Sequence, residues 1–144
     1  MNGLQIFNNE ELGQIRTVEK NRKEFMGFFY VIEYGDLVKI GSTKNPYQRL
    51  SQIKRQASKY ADVKIGKAAI SKQHTNYRDN ETKIHKLFSD YRKDGTELFN
   101  IPFEMALSTI KNSDIKYEDK SQEMDKRATD FLNGMKKFLL GGTL

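Results

Sequence analysis

The stretch Gly27–Leu50 reads "GFFYVIEYGDLVKIGSTKNPYQRL" and decides the fold. Phe28–Tyr34 is a run of aromatic and β-branched residues, which is typical of a buried strand. Gly35 and Asp36 predict a turn, and Leu37–Ile40 is the right length for a partner strand. The stretch therefore predicts a β-hairpin.

A helix is predicted directly after this hairpin. Asn45 has the residue type of an N-cap, and Pro46 suits the first helical position, where its missing N–H costs nothing. The apolar spacing extends this helix to about Tyr60. Arg49 lies beside the apolar Leu50, so we expect its side chain to lean from the helix edge over the hairpin.

The rest of the chain predicts an α+β protein, with a small three-stranded antiparallel sheet flanked by helices and an extra C-terminal helix. The first residues predict a hairpin or an irregular arm. The expected organisation is an N-terminal arm (1–24), a central domain (25–112), and a linker with an amphipathic helix (113–144). Within the central domain we expect a third strand over 63–70, a helix over 77–91, a short extended piece at 97–100 and a helix from Pro102 to about 111.

Composition limits the function classes. The chain has 144 residues, 37% hydrophobic and 31% charged, and no cysteine, so disulfides, thiolate nucleophiles and cysteine zinc sites are excluded. No apolar run approaches the roughly 18 residues that a membrane span needs, and no signal peptide is visible. We therefore expect a cytoplasmic protein without a membrane partner.

The positive charge is concentrated in one part of the chain. The net charge is +6, yet the segment Leu37–Arg78 alone carries ten Lys or Arg and one acid, Asp62, for a local charge of +9. Such a block favours a polyanionic partner, most often nucleic acid, although a solvated lysine-rich face is the alternative. The nucleic-acid-contacting candidates are Lys44, Lys54, Arg55 and Lys59.

Glu81 is the most informative acid. It lies three residues before Ile84 and continues the apolar stripe of its helix, so it must be paired, metal-bound or at a cleft; an ordinary first-turn glutamate is the alternative. His85 follows four residues later, within reach of Glu81 on a helix. A lone histidine at such a position is either a satisfied structural residue or a ligand.

Two hairpin residues are also candidates. Tyr30 lies mid-strand in an apolar run and is either a core residue or a site residue. Lys39 lies between Val38 and Ile40, so its side chain points to water or into a polar cleft. For Arg49, a surface arginine and a site arginine remain alternatives.

Together these positions resemble the GIY-YIG nuclease superfamily. Its two tripeptides are matched by Phe28-Phe29-Tyr30 and Lys39-Ile40-Gly41, its helical arginine by Arg49 in "NPYQRL", and its glutamate by Glu81 in "NETKIHKLF". The strings "YVI…VKIG.T.NP..RL" and "E..LH..F…R.…E.F" are similar to a phage-type subgroup. The resemblance covers about 27–100.

The resemblance implies an endonuclease that hydrolyses phosphodiester bonds of nucleic acid with Mg²⁺ or Mn²⁺, with DNA favoured over RNA. Glu81 would bind the metal, Arg49 would contact the scissile phosphate, and Tyr30 would act near the nucleophile, with Lys39 and His85 completing the catalytic candidates. Lys39 replaces a tyrosine of the family. The alternative is therefore a weakly active or inactive nucleic-acid-binding or regulatory module on the same fold.

Both ends of the chain carry further hypotheses. The first eighteen residues resemble the opening of phage antirepressor proteins, which implies a phage or prophage origin. The C-terminal helix carries an apolar stripe that includes Met124, Phe131, Met135 and Phe138. This stripe either packs on the domain or forms a homodimer seam.

Overall fold

A computed structural model describes residues 3–140 of the chain. Within that range five strands form one antiparallel sheet in the order β1-β4-β2-β3-β5. The strands are β1 (Leu4–Phe7), β2 (Phe28–Tyr34), β3 (Leu37–Thr43), β4 (Ile65–Ser71) and β5 (Leu98–Phe99). The α-helices are α1 (Pro46–Gln56), α2 (Tyr77–Leu87), α3 (Phe103–Lys111) and α4 (Ser121–Leu139).

The predicted α+β class is confirmed, but the sheet is larger than the three strands expected. Both additional strands are edge strands of four and two residues, too short to show a period in the sequence. β1 pairs with β4, and Asn9–Glu19 forms a 3₁₀-helical segment. The N-terminal hairpin alternative is therefore wrong, because the partner of β1 lies more than sixty residues away.

The predicted hairpin is confirmed. β2 and β3 pair along their whole length, from Phe28 opposite Thr43 to Tyr34 opposite Leu37. β3 continues three residues beyond Ile40, where the small and polar residues give no strand signal. Gly41 is directly opposite Tyr30, and a side chain at Gly41 would collide with the Tyr30 hydroxyl.

Helices cover both faces of the sheet. On one face the 3₁₀ segment and α1 bury a cluster that includes Ile15, Tyr30, Leu50 and Ile53. On the other face α2 and α3 bury a second cluster around Phe29, with members including Ile40, Ile84, Phe88 and Leu107. α1 continues into a π-helical turn, Ala57–Ala61, and a short 3₁₀ turn, Ser89–Tyr91, follows α2.

The linker that precedes α4 is tied to the start of α2. Thr75 and Asn76 exchange hydrogen bonds with the backbone of Glu118, and Asn80 donates to the carbonyl of Lys116. The ring of Tyr117 stacks on Phe29. The predicted charged linker is thus an ordered connection.

α4 departs from the interpretation that its apolar stripe packs on the domain. Among the described residues of α4, Ser121 is the one that is buried, while Phe131 and Phe138 are 66% and 81% exposed. From the sequence, Gly141 and Gly142 are expected to end this helix, and they lie outside the described residues. Within residues 3–140 no helix combines the length and apolarity that crossing a membrane requires.

Candidate active site and nucleic-acid interface

The candidate site lies where the β2–β3 hairpin meets α1, α2 and the segment before β5. β5 pairs only with Val38 and Lys39, so the outer edge of β3 beyond these residues is left without a strand partner among residues 3–140. Side chains from both faces of the sheet can meet at such an edge. This explains why residues far apart in sequence converge here.

Tyr30 and Arg49 are brought together on the α1 face. Tyr30 is 1% exposed, and its ring has room to lie across β3 because the opposite residue is Gly41. Arg49 Nε donates to the Tyr30 hydroxyl at 3.4 Å, and Arg49 Nη1 donates to Gln52 Oε1 at 2.9 Å. Of the two alternatives for Tyr30, the structure shows a core residue, and its hydroxyl contacts Arg49.

Burial controls the ionisation of this pair. It raises the pKa of the Tyr30 hydroxyl above its ordinary value, and the opposing effect of the Arg49 guanidinium is smaller. The hydrogen bond from Arg49 to Tyr30 in turn raises the pKa of Arg49. At neutral pH Tyr30 is therefore a neutral phenol, and Arg49 is a cation.

Glu81 reaches the same region from the opposite face. The Ser42 hydroxyl, on β3, donates to Glu81 Oε1, and the glutamate side chain is 18% exposed. Burial raises the pKa of Glu81, a neighbouring carboxyl of Glu97 adds to the rise, and the Ser42 hydrogen bond opposes it. Glu81 also contributes to the electrostatics of both Tyr30 and Arg49.

His85 is held by the backbone of β3. Its Nε2 lies 2.9 Å from the carbonyl oxygen of Ile40, and a carbonyl can only accept, so this nitrogen carries the proton. The same nitrogen is 3.5 Å from Glu81 Oε2. Of the two alternatives for His85, the geometry favours a structural residue whose hydrogen bond to the backbone is satisfied.

Lys39 and Glu97 complete the cluster. Lys39 is directly opposite Ile32 in the β2–β3 pair. Ile32 lies two residues after Tyr30 and therefore on the same face of the sheet, so the Lys39 side chain is on the Tyr30 face. Its Nζ is 3.5 Å from Glu97 Oε1, with the lysine side chain 20% exposed. Of the two positions expected for Lys39, the structure selects the polar cleft.

Sequence reasoning missed Glu97. It precedes β5 in the charged loop "DGTELF", where nothing in its spacing separates it from a solvated acid. Its carboxyl meets Lys39 and also lies close enough to the Glu81 carboxyl for a hydrogen bond. The one available signal was its place in the "E.F" string of the resemblance.

The predicted nucleic-acid-contacting residues are all exposed, but they do not form one group. Lys44 lines a surface cleft together with residues that start α2, including Tyr77 and Arg78, and Glu81 lies one helical turn further on. Lys54 lies beside Asp62 in a different hollow. Arg78, which the sequence reasoning did not select, is therefore better placed toward the site than Lys54.

Arg55 and Lys59 point away from the sheet. They lie on the side of the helical segment opposite its buried residues Leu50 and Ile53. Asn100, directly after β5, is exposed.

The T5orf172 domain profile matches residues 27–114, more than half of the chain. The chain belongs to the T5orf172 domain family. This family is phage-associated and falls in the GIY-YIG-like, nuclease-like group, which supports a function connected with nucleic acid. No match was found among curated proteins or among solved structures.

Proposed function

We propose that this T5orf172 protein is a divalent-metal-dependent endonuclease of the GIY-YIG type that hydrolyses phosphodiester bonds, with DNA as the favoured substrate. One observation carries the proposal: Tyr30, Arg49 and Glu81 converge at one open sheet edge although they come from three different elements. An arginine and a carboxylate that can hold a metal ion stabilise charge in phosphoryl transfer, and a neutral phenol can donate a hydrogen bond to a water.

The donor set fits Mg²⁺ or Mn²⁺. Within residues 3–140 no group of three or more His, Asp or Glu side chains is arranged to hold a metal ion. Mg²⁺, however, is commonly bound through one or two carboxylates, with water and substrate phosphate as its other ligands. Glu81 would hold the ion, with Glu97 as the nearest second carboxylate, and the ion would polarise a phosphate oxygen.

Arg49 would stabilise the negative charge that develops on the phosphate. Its guanidinium is oriented by two hydrogen bonds, to Tyr30 and Gln52, so little orientation is lost when it meets an anion. Charge-assisted hydrogen bonds from a preorganised arginine are strong and become stronger as charge accumulates. Arg49 is therefore the main electrostatic catalyst of the proposal.

Tyr30 would orient the attacking water. Its oxygen already accepts from Arg49, which leaves its own O–H free to turn toward a water or a phosphate oxygen. Because burial raises its pKa, it acts as a neutral hydrogen-bonding group and is a poor general base at neutral pH. Lys39 adds a second cation on the same face, paired with Glu97.

A cleavage assay tests the proposal. The full chain is incubated with single-stranded DNA, double-stranded DNA and RNA, with Mg²⁺, with Mn²⁺ and with chelator. We expect metal-dependent cleavage of DNA, a loss of about 10³-fold or more in Glu81→Gln, and about 10²-fold or more in Arg49→Lys. Cleavage that persists in Glu81→Gln contradicts the proposal.

Matched controls separate chemistry from general charge effects. Glu104→Gln removes an exposed glutamate whose side chain is 73% exposed and pairs with Lys67, and it should cleave like the unaltered chain. Arg22→Lys makes the same exchange as Arg49→Lys at an exposed arginine outside the site. Both should leave the rate unchanged.

A second candidate is a nucleic-acid-binding module without turnover. The observation that favours it is the Lys39–Glu97 ion pair, which stands where the family's second tyrosine is expected and neutralises a cation beside the centre. Tight, salt-sensitive DNA binding with no cleavage in either metal would support this candidate over the nuclease.

A further inference from the structure

α4 carries an apolar seam that the described domain leaves mostly exposed: Met124 and Ala128, near the start of the helix, are partly buried, whereas Phe131, Met135 and Phe138 are exposed. Its residues recur at alternating spacings of four and three, the spacing of a coiled-coil seam. We call this surface the α4 seam, and it consists of Met124, Ala128, Phe131, Met135 and Phe138. Leu132 and Leu139 flank it and are 60% and 70% exposed.

The exposed area is large for a chain of this size. The α4 seam and its two flanking leucines expose on the order of 600 Å² of apolar surface, at the upper end of what monomeric proteins leave open. If two copies buried this area against each other, the interface would cover about 1,200 Å² in total, at the lower end of specific interfaces. The seam is thus sufficient for a modest dimer.

The shape of the seam fits another helix. A narrow stripe with alternating spacings of four and three packs into the groove of a second helix, whereas a helix that covers a sheet usually has a wider apolar face. The polar side of α4 mixes acids with bases, for example Asp125 with Lys126 and Asp130 with Lys137. Helices that lie on membranes have a predominantly basic polar side, so a membrane surface fits α4 less well.

The charge of α4 selects a second copy in the opposite direction. Up to Asp130 the helix has three acids and two bases, whereas its remainder has Lys136 and Lys137 and no acid. Antiparallel pairing places the first half of one helix, with a net charge of −1, beside the second half of the other, with +2, and it also aligns the helix dipoles favourably. Parallel pairing would place like charges together.

The side-chain sizes agree with that direction. In an antiparallel seam Ala128 is opposite Phe138 of the other copy, and Phe131 is opposite Met135, so small and large residues alternate. Gly134 flanks the seam near its centre, and a side chain there would contact nothing within 4 Å. A glycine inside a helix costs about 1 kcal/mol relative to alanine, and a closely approaching partner helix is a reason to have one.

We propose that the chain forms a homodimer in which two α4 helices pair antiparallel through the α4 seam. The domain of each copy would then lie at one end of the helix pair. The proposal is independent of the nuclease proposal, because it rests on α4 and not on the site.

Sedimentation equilibrium of the full chain tests the dimer over a wide range of concentration. We expect a dimer, and we expect Phe131→Glu and Phe138→Glu each to weaken it by about 30-fold or more, the loss typical of a central interface residue. Asn133→Glu, which adds the same charge on the outer side of the same helix, is the matched control and should remain dimeric. A monomer at every concentration overturns the proposal.

Single cysteines test the direction, because the natural chain has none. In the antiparallel pair, residue 134 of one copy lies near residue 134 of the other copy. Gly134→Cys should therefore form a disulfide-linked dimer on mild oxidation, whereas Met124→Cys should not. Equal or faster cross-linking of Met124→Cys overturns the antiparallel arrangement. A monomeric protein that sediments with anionic phosphatidylserine vesicles would instead assign the seam to a lipid surface and overturn the dimer.

Discussion

Glu97 lies between the two faces of the candidate site. Its carboxyl contacts Lys39 on the Tyr30 side of β3 and approaches Glu81 on the other side. It is held there because its own carbonyl accepts from the backbone N–H of Ile40 at 3.0 Å. The position of this acid relative to β3 is therefore set by the sheet itself.

Glu97→Gln keeps the shape of the side chain and removes its charge. We expect kcat to fall by about 10- to 100-fold, the usual effect of losing a group that orients site residues, while KM changes little because no substrate-binding cation is removed. Steady-state kinetics measure both. Glu104→Gln is the control, and an unchanged kcat in Glu97→Gln would remove Glu97 from the site.

His74 is a buried residue outside the site whose ionisation should affect stability. It is fully buried, and its Nδ1 lies 2.8 Å from the carbonyl of Lys72. Its Nε2 has no hydrogen-bond partner among the described residues, and the rings of Phe29, Tyr77 and Tyr117 surround it. Burial accordingly lowers the pKa of His74.

The pH dependence follows from that direction. The unfolded chain binds a proton at His74 near pH 6.5, while the folded chain binds it only at lower pH. The free energy of unfolding should therefore fall as pH drops below about 6.5, with a slope of at most about 1.4 kcal/mol per pH unit from this residue. Urea unfolding at several pH values measures the slope. His74→Phe should flatten it.

At the scale of elements, the 3₁₀ segment Asn9–Glu19 holds the start of α1. The carboxylate of Glu19 accepts from the Tyr47 backbone N–H at 2.7 Å, and Arg16 lies over the Tyr47 ring at 4.0 Å. Asn45 occupies the predicted N-cap position, but its side chain makes no capping hydrogen bond within residues 3–140. The cap is supplied by Glu19, an acid at the positive end of the helix.

Glu19→Ala should therefore remove the cap of α1 and destabilise the start of this helix. We expect the free energy of unfolding to fall by about 1 kcal/mol, and cleavage to fall several-fold because Arg49 is two residues beyond the released N–H. Denaturant unfolding and the cleavage assay measure the two effects. Glu10→Ala, an exposed acid in the same segment, should change neither, and equal effects of both variants would reject the capping role.

At the scale of the whole molecule, the cations differ in where they face. Lys44 and Arg78 border the cleft at the start of α2, about one helical turn before Glu81. Arg55 and Lys59 point away from the sheet. Nucleic acid that reaches the site should therefore pass Lys44 and Arg78. The +9 block is one segment in sequence but is divided between surfaces in space.

The salt dependence of DNA binding tests this division. Removing Lys44 and Arg78 together by alanine should reduce the slope of log K against log salt by about 2, close to one unit for each lost phosphate contact. Arg55→Ala with Lys59→Ala is the matched pair and should reduce the slope less. A larger reduction from the Arg55 and Lys59 pair would place the nucleic acid on the outer face of α1.

Local patterns were sufficient for much of the fold. The aromatic and β-branched run of β2, the Gly-Asp turn and the Asn-Pro helix start are short-range signals, and each appears where it was predicted. The sequence predicted an extended piece at 97–100, where β5 lies, but it did not predict that β1 and β5 join the sheet, because the pairing of a short edge strand depends on its partner strand and not on its own residues. The same reason explains why Glu19 was not foreseen as the cap of α1.

The sequence by itself determined the α+β class, the hairpin and the residue types of the candidate site, because chain-local propensity, turn chemistry and motif spacing are sufficient for these. Only the tertiary structure decided which residues meet: Tyr30 with Arg49 across Gly41, Glu81 with Ser42, and Glu97 with Lys39. The physical reason is that these contacts are made across an open sheet edge by residues up to 58 positions apart. No local sequence pattern specifies a contact between residues so far apart in the chain.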